Sequence, residues 1–298
     1  MVSIYLFGVF VVCAALGSFA AASVWRLRAQ QLVSDQKEGE KLTKSEQREL
    51  TELKKIHGKK TASDRSICLH CGRHLQIIDL IPVVSWLALR GKCRTCKKPI
   101  GWMEFLAEVG LGVAGVVSYL VWPYGFASWQ ESILFVLWLL ILTCLAIHLM
   151  YDAKWFLLLD KITIIVAFLA VLYTSVTIIL GISHQSFVGG LMNIGLALLI
   201  LPGFYGLLYL ISSGKWIGFG DVKLLIPLAI MLPTWQHAFL MLFVANLLGS
   251  LVMVPGMMTG AVKRTTRVPF GPFLIVGWLI VMLWGTSLIG VYTHSLMF

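Results

Sequence analysis

The sequence predicts an all-α polytopic membrane protein with about eight transmembrane helices and a small cytoplasmic zinc-ribbon-like insert after the first helix. The chain of 298 residues is 58% hydrophobic and only 13% charged, about half the charged fraction of ordinary soluble domains. Its apolar residues form runs close to the roughly 20 residues that cross a bilayer core. Four of its six cysteines form two closely spaced pairs in a single polar segment near the N-terminus.

The apolar runs define eight predicted spans separated by short loops. The spans are 2–25, 104–122, 132–150, 162–181, 191–212, 224–237, 238–256 and 272–293. The sixth is the shortest and contains Pro227 and Pro233, which interrupt helices. The first is expected to remain as a helix rather than act as a signal peptide, because its start has no basic residue and Arg26 follows the apolar run.

Positive charges predict the orientation of these spans. With the N-terminus outside, all 24 lysines and arginines fall in inner loops, and none falls in an outer loop. The inner loops are then 26–103, 151–161, 213–223 and 257–271. The positive-inside rule therefore predicts that the cysteine-containing segment is cytoplasmic. The net charge of +10 is explained by topology and by attraction to membrane lipids, so we expect no nucleic-acid binding.

The polar segment contains a predicted metal site. Cys68 and Cys71 form one CxxC pair, and Cys93 and Cys96 form a second pair after 21 intervening residues. Two pairs at this separation are typical of a tetrahedral four-thiolate zinc site, which has no open position for water and is structural. A redox dithiol pair or free thiols are the alternatives. Disulfides are disfavoured in the cytoplasm.

Two other parts of the insert have distinct compositions. Residues 29–65 are rich in charged and polar side chains, and 45–60 reads as a charged helix with Glu and Lys at helical spacing. Residues 79–91 are too apolar for a simple zinc loop. We expect them to pack on the membrane surface or against another span, with Trp86 and Trp102 at the interface.

Carboxylates are rare in the apolar remainder of the chain. After Glu131 only Asp152, Asp160 and Asp221 remain, all at predicted inner ends of spans. Ionisable side chains are energetically costly near a membrane core, so their presence there indicates a functional site. Asp221 belongs to the pattern Gly218-Phe-Gly220-Asp221-Val-Lys223. Gly218 and Gly220 allow close backbone approach and leave space for a substrate chain beside the carboxylate.

Two such aspartates on different spans suggest an acid–base dyad. Neighbouring carboxylates share one proton, so one can accept a proton from water while the other donates to a peptide group. The chain has no GxSxG or HExxH motif that would indicate a different hydrolase. Asp152 and Asp160 would lie about 12 Å apart on one helix, so only one can contact Asp221, and the residues alone leave that choice open.

The chain resembles the type IV prepilin peptidases, which are bacterial GxGD membrane aspartic proteases. The resemblance extends over nearly the whole length. Its motifs are Gly17-Ser-Phe19 with Arg26, the four cysteines, Asp79-Leu-Ile-Pro-Val-Val-Ser-Trp86, Arg90-Gly-Lys-Cys93, Lys98-Pro-Ile100, Glu108, Asp152, Gly218-Phe-Gly-Asp-Val-Lys223 and Pro269-Phe-Gly-Pro-Phe-Leu274.

The resemblance implies that the protein removes the short basic leader from prepilins and pseudopilins at the cytoplasmic face of the bacterial inner membrane. Many members then methylate the new N-terminus with S-adenosylmethionine. By the family pattern the catalytic pair is Asp152 and Asp221, supported by Gly218, Gly220, Lys223 and Asp160. Alternative functions are a GxGD protease for other membrane substrates, such as preflagellin-like proteins, and a non-catalytic zinc-ribbon scaffold.

Three positions depart from the family pattern. Ala21 replaces the usual Asn, Glu104-Phe105 replaces Tyr-Pro, and Leu159 replaces the Pro before Asp160. The first two lie in the part that the family links to methylation, so the resemblance supports proteolysis more directly than methylation. We expect a first helix at 1–25, a zinc domain at 26–103 and a peptidase domain at 104–298. The sequence gives no indication of oligomeric state.

Overall fold

The computed structural model describes residues 2–57, 66–180, 186–260 and 268–295. Over these ranges the chain is almost entirely helical, and its only β pairing is two isolated bridges. Seven helical segments of the described chain are long and apolar enough to cross a membrane. The predicted polytopic all-α class is therefore confirmed. The chain divides into two compact units, Met1–Leu120 and Val121–Phe298.

The first unit contains two long apolar helices and the polar insert between them. Its elements are α1 (Val2–Lys37), α2 (Lys44–His57), a 3₁₀ helix (Ile77–Leu80), α3 (Val84–Ala88) and α4 (Trp102–Leu120). Helices α1 and α4 pack closely because α4 carries glycines at the contact. A Cβ on Gly112 would lie only 2.7 Å from the Phe10 ring, and one on Gly115 would overlap the buried Cys13 thiol.

Helix α1 extends well beyond the predicted span of 2–25. Its 36 residues give a length of about 54 Å, against a bilayer core of about 30 Å. The extension is helical because it has an apolar partner: Ala29 and Leu32 of α1 are fully buried against Leu50 and Leu53 of α2. The predicted charged helix at 45–60 is confirmed as α2, and its last three predicted residues lie outside the described ranges.

The second unit is a bundle of helices around a short central one. Its elements are α5 (Trp129–Trp155), α6 (Asp160–Ile179), α7 (Phe187–Leu198), a π-helix (Leu199–Gly203), α8 (Phe204–Ser212), α9 (Phe219–Ile230), α10 (Trp235–Met258) and α11 (Gly271–Ser295). Helices α7 and α8 and the π-helix between them form one continuous span of 26 residues. The π-helix contains Pro202, which cannot donate the usual helical hydrogen bond.

Helix α9 takes the place of the expected span at 224–237 and is shorter than expected. It has 12 residues and ends at Ile230, which gives a length of about 18 Å. It nevertheless lies in the core, because Leu224, Leu225 and Leu228 are fully buried. Helices α6, α7, α8 and α11 surround it, and the Trp278 indole of α11 donates to the Leu228 carbonyl at 3.1 Å. The seven long helices and α9 together account for the eight predicted spans.

The acidic side chains of this second unit lie at helix termini. The C-terminal end of α5 and the N-terminal ends of α6, α9 and α11 carry Asp152, Asp160, Asp221 and Gly271 respectively. Helix α5 ends at Trp155 and is capped by Phe156, which adopts a left-handed conformation with a φ of 57° and donates its N–H to the Asp152 carbonyl at 2.9 Å. The short connection to α6 places two aspartates on separate helices.

Candidate active site

Asp152 lies in the last turn of α5 and is 5% exposed. Its Oδ2 accepts the backbone N–H of Gly271 at 3.0 Å. Gly271 is the first residue of α11, where backbone N–H groups have no partner within the helix. The partial positive charge at a helix N-terminus stabilises an anion, so the contact with the Gly271 N–H favours the ionised form of the Asp152 carboxyl.

Glycine at residue 271 leaves the space in which the Asp152 carboxylate makes this contact. A Cβ at that position would lie 2.6 Å from Asp152 Oδ2, well inside van der Waals contact. The side chain of any other residue would therefore displace the carboxylate from the start of α11. Sequence reasoning counted Gly271 within the motif at 269–274 but gave it no role, because its partner is 119 positions away in the chain.

Asp221 lies in the first turn of α9 and is also buried, with 9% exposure. Its backbone N–H donates to the Gly218 carbonyl at 3.1 Å, which begins the helix. A Cβ on Gly218 would lie 3.3 Å from Asp221 Oδ2, and one on Gly220 would lie 3.2 Å from the Cβ of Leu158. The two glycines thus leave space for the Asp221 carboxylate on one side and for the α5–α6 connection on the other.

The two buried aspartates interact electrostatically. Asp221 lies outside the seven long helices, and the pKa of its carboxyl is raised from 3.8 to about 7, chiefly by burial. The negative charge of Asp152 contributes to this rise, and a hydrogen bond with the backbone of Gly218 opposes it. Asp221 therefore keeps its proton up to about pH 7, while Asp152 is held at a helix N-terminus. This is the charge arrangement that a shared-proton dyad requires.

Asp160 has a different partner. The Lys223 ammonium donates to both of its carboxylate oxygens, at 2.9 and 2.8 Å, and the Asp160 side chain is 62% exposed. Lys223 also lies 5.1 Å from the centre of the Phe219 ring. The resemblance implies that Lys223 supports Asp221; in the structure its amine binds Asp160 and ties the first turn of α9 to the first turn of α6. Of the two candidate partners for Asp221, the geometry favours Asp152.

Tyr205 and Asn246 form a polar contact that sequence reasoning missed. Tyr205 lies two residues after the end of the π-helix and is 2% exposed, and its hydroxyl accepts the Asn246 amide N–H at 2.8 Å. Its ring lies 5.9 Å from that of Phe270, the neighbour of Gly271. π-helices occur frequently at functional sites. The available sequence signals were Pro202 within an apolar run and a single Asn in α10.

The four cysteines of the insert come together as the spacing predicts. Their sulfur atoms all lie within 4.8 Å of one another. Each pair forms the same turn: the N–H groups of Cys68 and Cys93 donate to Arg73 and Lys98 carbonyls, both at 2.9 Å. The backbone N–H groups of Cys96 and Thr95 lower the pKa of the Cys93 thiol to about 7 against its burial. Four sulfur donors at this spacing can hold a zinc ion in a tetrahedral shell.

Comparison with known proteins covers both units. Residues 11–122 match the family model of the bacterial peptidase A24 N-terminal domain, and residues 133–254 match that of the type IV leader peptidase family. The chain is 31% identical over 228 residues to a prepilin leader peptidase/N-methyltransferase of Pseudomonas aeruginosa, covering 76% of this chain and 74% of that protein.

Two further relatives carry the same description. The one from Pseudomonas putida is 32% identical over 226 residues, covering 75% of this chain and 73% of that protein. The one from Stutzerimonas stutzeri is 29% identical over 227 residues, covering 76% and 74%. No solved structure gives a significant match.

Proposed function

The chain belongs to the type IV leader peptidase family, and we propose that it removes the leader peptide of type IV prepilins and pseudopilins by aspartic-protease chemistry. The observation that carries this proposal is the pairing of Asp152 and Asp221. Both are buried and both lie at helix termini, and the charge of one raises the pKa of the other. A zinc-ribbon scaffold without catalytic function would have no need of two buried carboxyl groups in this arrangement.

We assign different roles to the two carboxyl groups. Asp152, ionised at the N-terminus of α11, accepts a proton from water as the water oxygen attacks the carbonyl carbon of the scissile peptide. Asp221 donates its proton to the carbonyl oxygen, which gives a neutral diol. Asp152 then protonates the leaving nitrogen, the C–N bond breaks, and a diol hydroxyl returns a proton to Asp221. Both groups end in their starting protonation states, so no covalent intermediate is needed.

Four further residues support this dyad by holding the helices that carry it in place: Gly218, Gly220, Lys223 and Asp160. The glycines allow α9 to begin next to the connection after α5. The ion pair between Lys223 and Asp160 fixes the start of α9 and keeps the Lys223 ammonium on Asp160. The contact between Tyr205 and Asn246 packs behind Phe270 and stabilises the start of α11.

The four cysteines are proposed to hold a structural zinc ion. The thiolates of Cys68, Cys71, Cys93 and Cys96 complete its shell, so the ion would stabilise the fold of the insert and take no part in hydrolysis. The division into a first helix at 1–25, a zinc domain at 26–103 and a peptidase domain at 104–298 follows from these roles.

Methylation of the new N-terminus is the second proposed activity. The relatives are described as N-methyltransferases as well as leader peptidases. When bound, S-adenosylmethionine would supply an electrophilic methyl group. The free amine of the cleaved pilin would take that group and lose a proton, and the thioether S-adenosylhomocysteine would leave. Ala21 and Glu104-Phe105 depart from the family pattern in the first unit, so this activity is tested separately from proteolysis below.

The proposed location is the bacterial inner membrane, with the N-terminus outside and the zinc insert cytoplasmic. The chain is a multi-pass membrane protein, and the segregation of all 24 lysines and arginines into one set of loops supports this orientation. The substrates would then meet the dyad from the cytoplasmic side, where the basic leader of a prepilin remains before cleavage.

Cleavage of a purified prepilin in detergent tests the proposal. We expect the wild-type chain to release the leader, and Asp152→Asn and Asp221→Asn to abolish release while the proteins remain folded. Asp160→Asn is the matched control, because it also removes one carboxylate but should reduce the rate only in part. Mass spectrometry of the new N-terminus, with and without S-adenosylmethionine, reports methylation independently. Full cleavage by both the Asp152→Asn and the Asp221→Asn variants would show that these two aspartates are not catalytic.

A further inference from the structure

Large apolar side chains are exposed on the segment between the two cysteine pairs. Ile77 is 87% exposed, Val84 59% and Leu87 56%, and Ile78 is 53% exposed. They lie on the 3₁₀ helix and on α3, within a part of the chain otherwise rich in charge. We call residues 77–87 the apolar segment. Exposed apolar patches of this kind mark an interaction surface.

Two contacts fix the depth of the apolar segment relative to α4. The Val83 backbone N–H donates to the Glu108 carboxylate at 2.6 Å. The Trp86 ring stacks on Phe105, with 4.4 Å between ring centres, and lies 4.6 Å from Trp102. Glu108 is six residues after the start of α4, which corresponds to about 9 Å along the helix axis.

This depth places the segment beside lipid. Helix α4 is one of the seven helices that can span a membrane, and it starts at Trp102, which is 66% exposed. A segment that runs alongside its first two turns lies within the outermost 5–10 Å of the bilayer, where interfacial helices bury their apolar face. Tryptophans are typical of the same depth.

Charges in the insert are arranged to suit that position. The only acidic side chain of the segment, Asp79, is 5% exposed and accepts Arg73 at 2.6 Å and Arg94 at 2.8 Å. Its charge is therefore neutralised within the protein. Arg90 and Lys92, which follow the segment, are exposed. Basic side chains beside an apolar surface attract anionic lipid headgroups.

We propose that the apolar segment 77–87 inserts into the adjacent bilayer leaflet at the boundary between headgroups and acyl chains. The occupant of this surface is phospholipid. The insert is thereby attached to the membrane at a second place besides the spans α1 and α4. The proposal does not depend on the proteolytic function, because none of its contacts involves Asp152 or Asp221.

Photocrosslinking of the full chain in vesicles of phosphatidylethanolamine and phosphatidylglycerol tests this proposal. The photoreactive residue p-benzoylphenylalanine replaces Ile77, Val84 or Leu87 in three separate variants. These side chains are exposed, so the replacements remove little packing. With three positions, the test still stands if one variant fails to fold. The matched control carries the same residue at Lys97, which is also exposed but lies on the second cysteine turn.

After irradiation, mass spectrometry counts adducts with lipid acyl chains. We expect such adducts at 77, 84 and 87, several-fold above the level at position 97. Acyl-chain adducts at 77, 84 and 87 no more frequent than at 97 would overturn the proposal. Crosslinks between two copies of the chain in place of lipid adducts would also overturn it, and would assign the surface to self-association.

Discussion

Replacement of Gly271 by alanine should impair catalysis without removing any catalytic group. The N–H of Gly271 binds Asp152 Oδ2 at 3.0 Å, and the added methyl group would point directly at that oxygen. The perturbation therefore changes the position of one catalytic carboxylate and leaves its chemistry intact.

The size of the displacement follows from the contact distances. The new Cβ would lie 2.6 Å from Asp152 Oδ2, whereas ordinary van der Waals contact begins at 3.4 Å. The carboxylate must therefore retreat by about 0.8 Å, the difference between the two distances. A catalytic group misplaced by about 1 Å costs roughly 100-fold in rate. Loss of a hydrogen bond to a charged group, about 1.5–3 kcal/mol, corresponds to a factor of about 10–100.

The assay is leader removal from a purified prepilin in detergent, with kcat and KM measured separately. We expect kcat of Gly271→Ala to fall about 100-fold with KM little changed, because the contact acts on the transition state rather than on substrate binding. Gly290→Ala is the matched control: it makes the same change in the same helix, where no atom lies within 4 Å of the new methyl group. It should cleave normally and gain about 0.5–1 kcal/mol of stability.

Thermal unfolding of both variants separates catalysis from folding. If Gly271→Ala retained a Tm close to that of the wild-type chain and still cleaved at the rate of Gly290→Ala, the helix N-terminus would not hold the catalytic form of Asp152. The assignment of Asp152 as the ionised partner would then be wrong.

Three further predictions concern the proton, the metal and the polar contact behind the site. Because the pKa of Asp221 is raised to about 7, kcat should fall about tenfold per pH unit above that value as the proton is lost. In the unfolded chain the pKa of this group is near 3.8, so its stabilising contribution is complete below about pH 4 and is lost as the pH rises to about 7. Asp221→Asn should therefore flatten the dependence of Tm on pH over that window. Cys93→Ser should abolish bound zinc measured by atomic absorption and lower the Tm, whereas folded zinc-free protein should still cleave; a wild-type chain purified without zinc would contradict the metal assignment. Asn246→Leu should leave the Tyr205 hydroxyl without its 2.8 Å donor and reduce kcat about tenfold. Ser250→Ala removes a hydroxyl that donates to the Asn246 carbonyl within α10 and should have no effect. Equal rates for the two variants would exclude a positioning role.

Much of the fold and part of the site could be predicted because their causes are local in the sequence. Hydropathy over about 20 residues is enough to identify a membrane-spanning helix, and the seven long helices follow the predicted spans. Each cysteine turn closes within a few residues, as the bonds from Cys68 to Arg73 and from Cys93 to Lys98 show. The spacing of the cysteines therefore predicted the cluster at 68, 71, 93 and 96.

Other features could not be predicted, because they depend on partners distant in the chain. Helix α1 continues to Lys37 only because α2 covers its apolar face. Helix α9 lies in the core despite its 12 residues because its neighbours bury it on several sides. Hydropathy measures the composition of a segment and contains no information on which other segment covers it.

The composition of the chain thus determined that it is a multi-pass helical membrane protein with rare carboxylates and a four-cysteine insert. The tertiary structure decided that the charge of Asp152, rather than that of Asp160, acts on Asp221. Asp152 and Asp160 are eight positions apart, yet α5 ends between them and the ion pair with Lys223 holds Asp160 at the exposed edge. Asp152 is buried at the start of α11, 119 residues away. Proximity across such distances depends on how helices pack, and helix packing depends on every side chain in the contact.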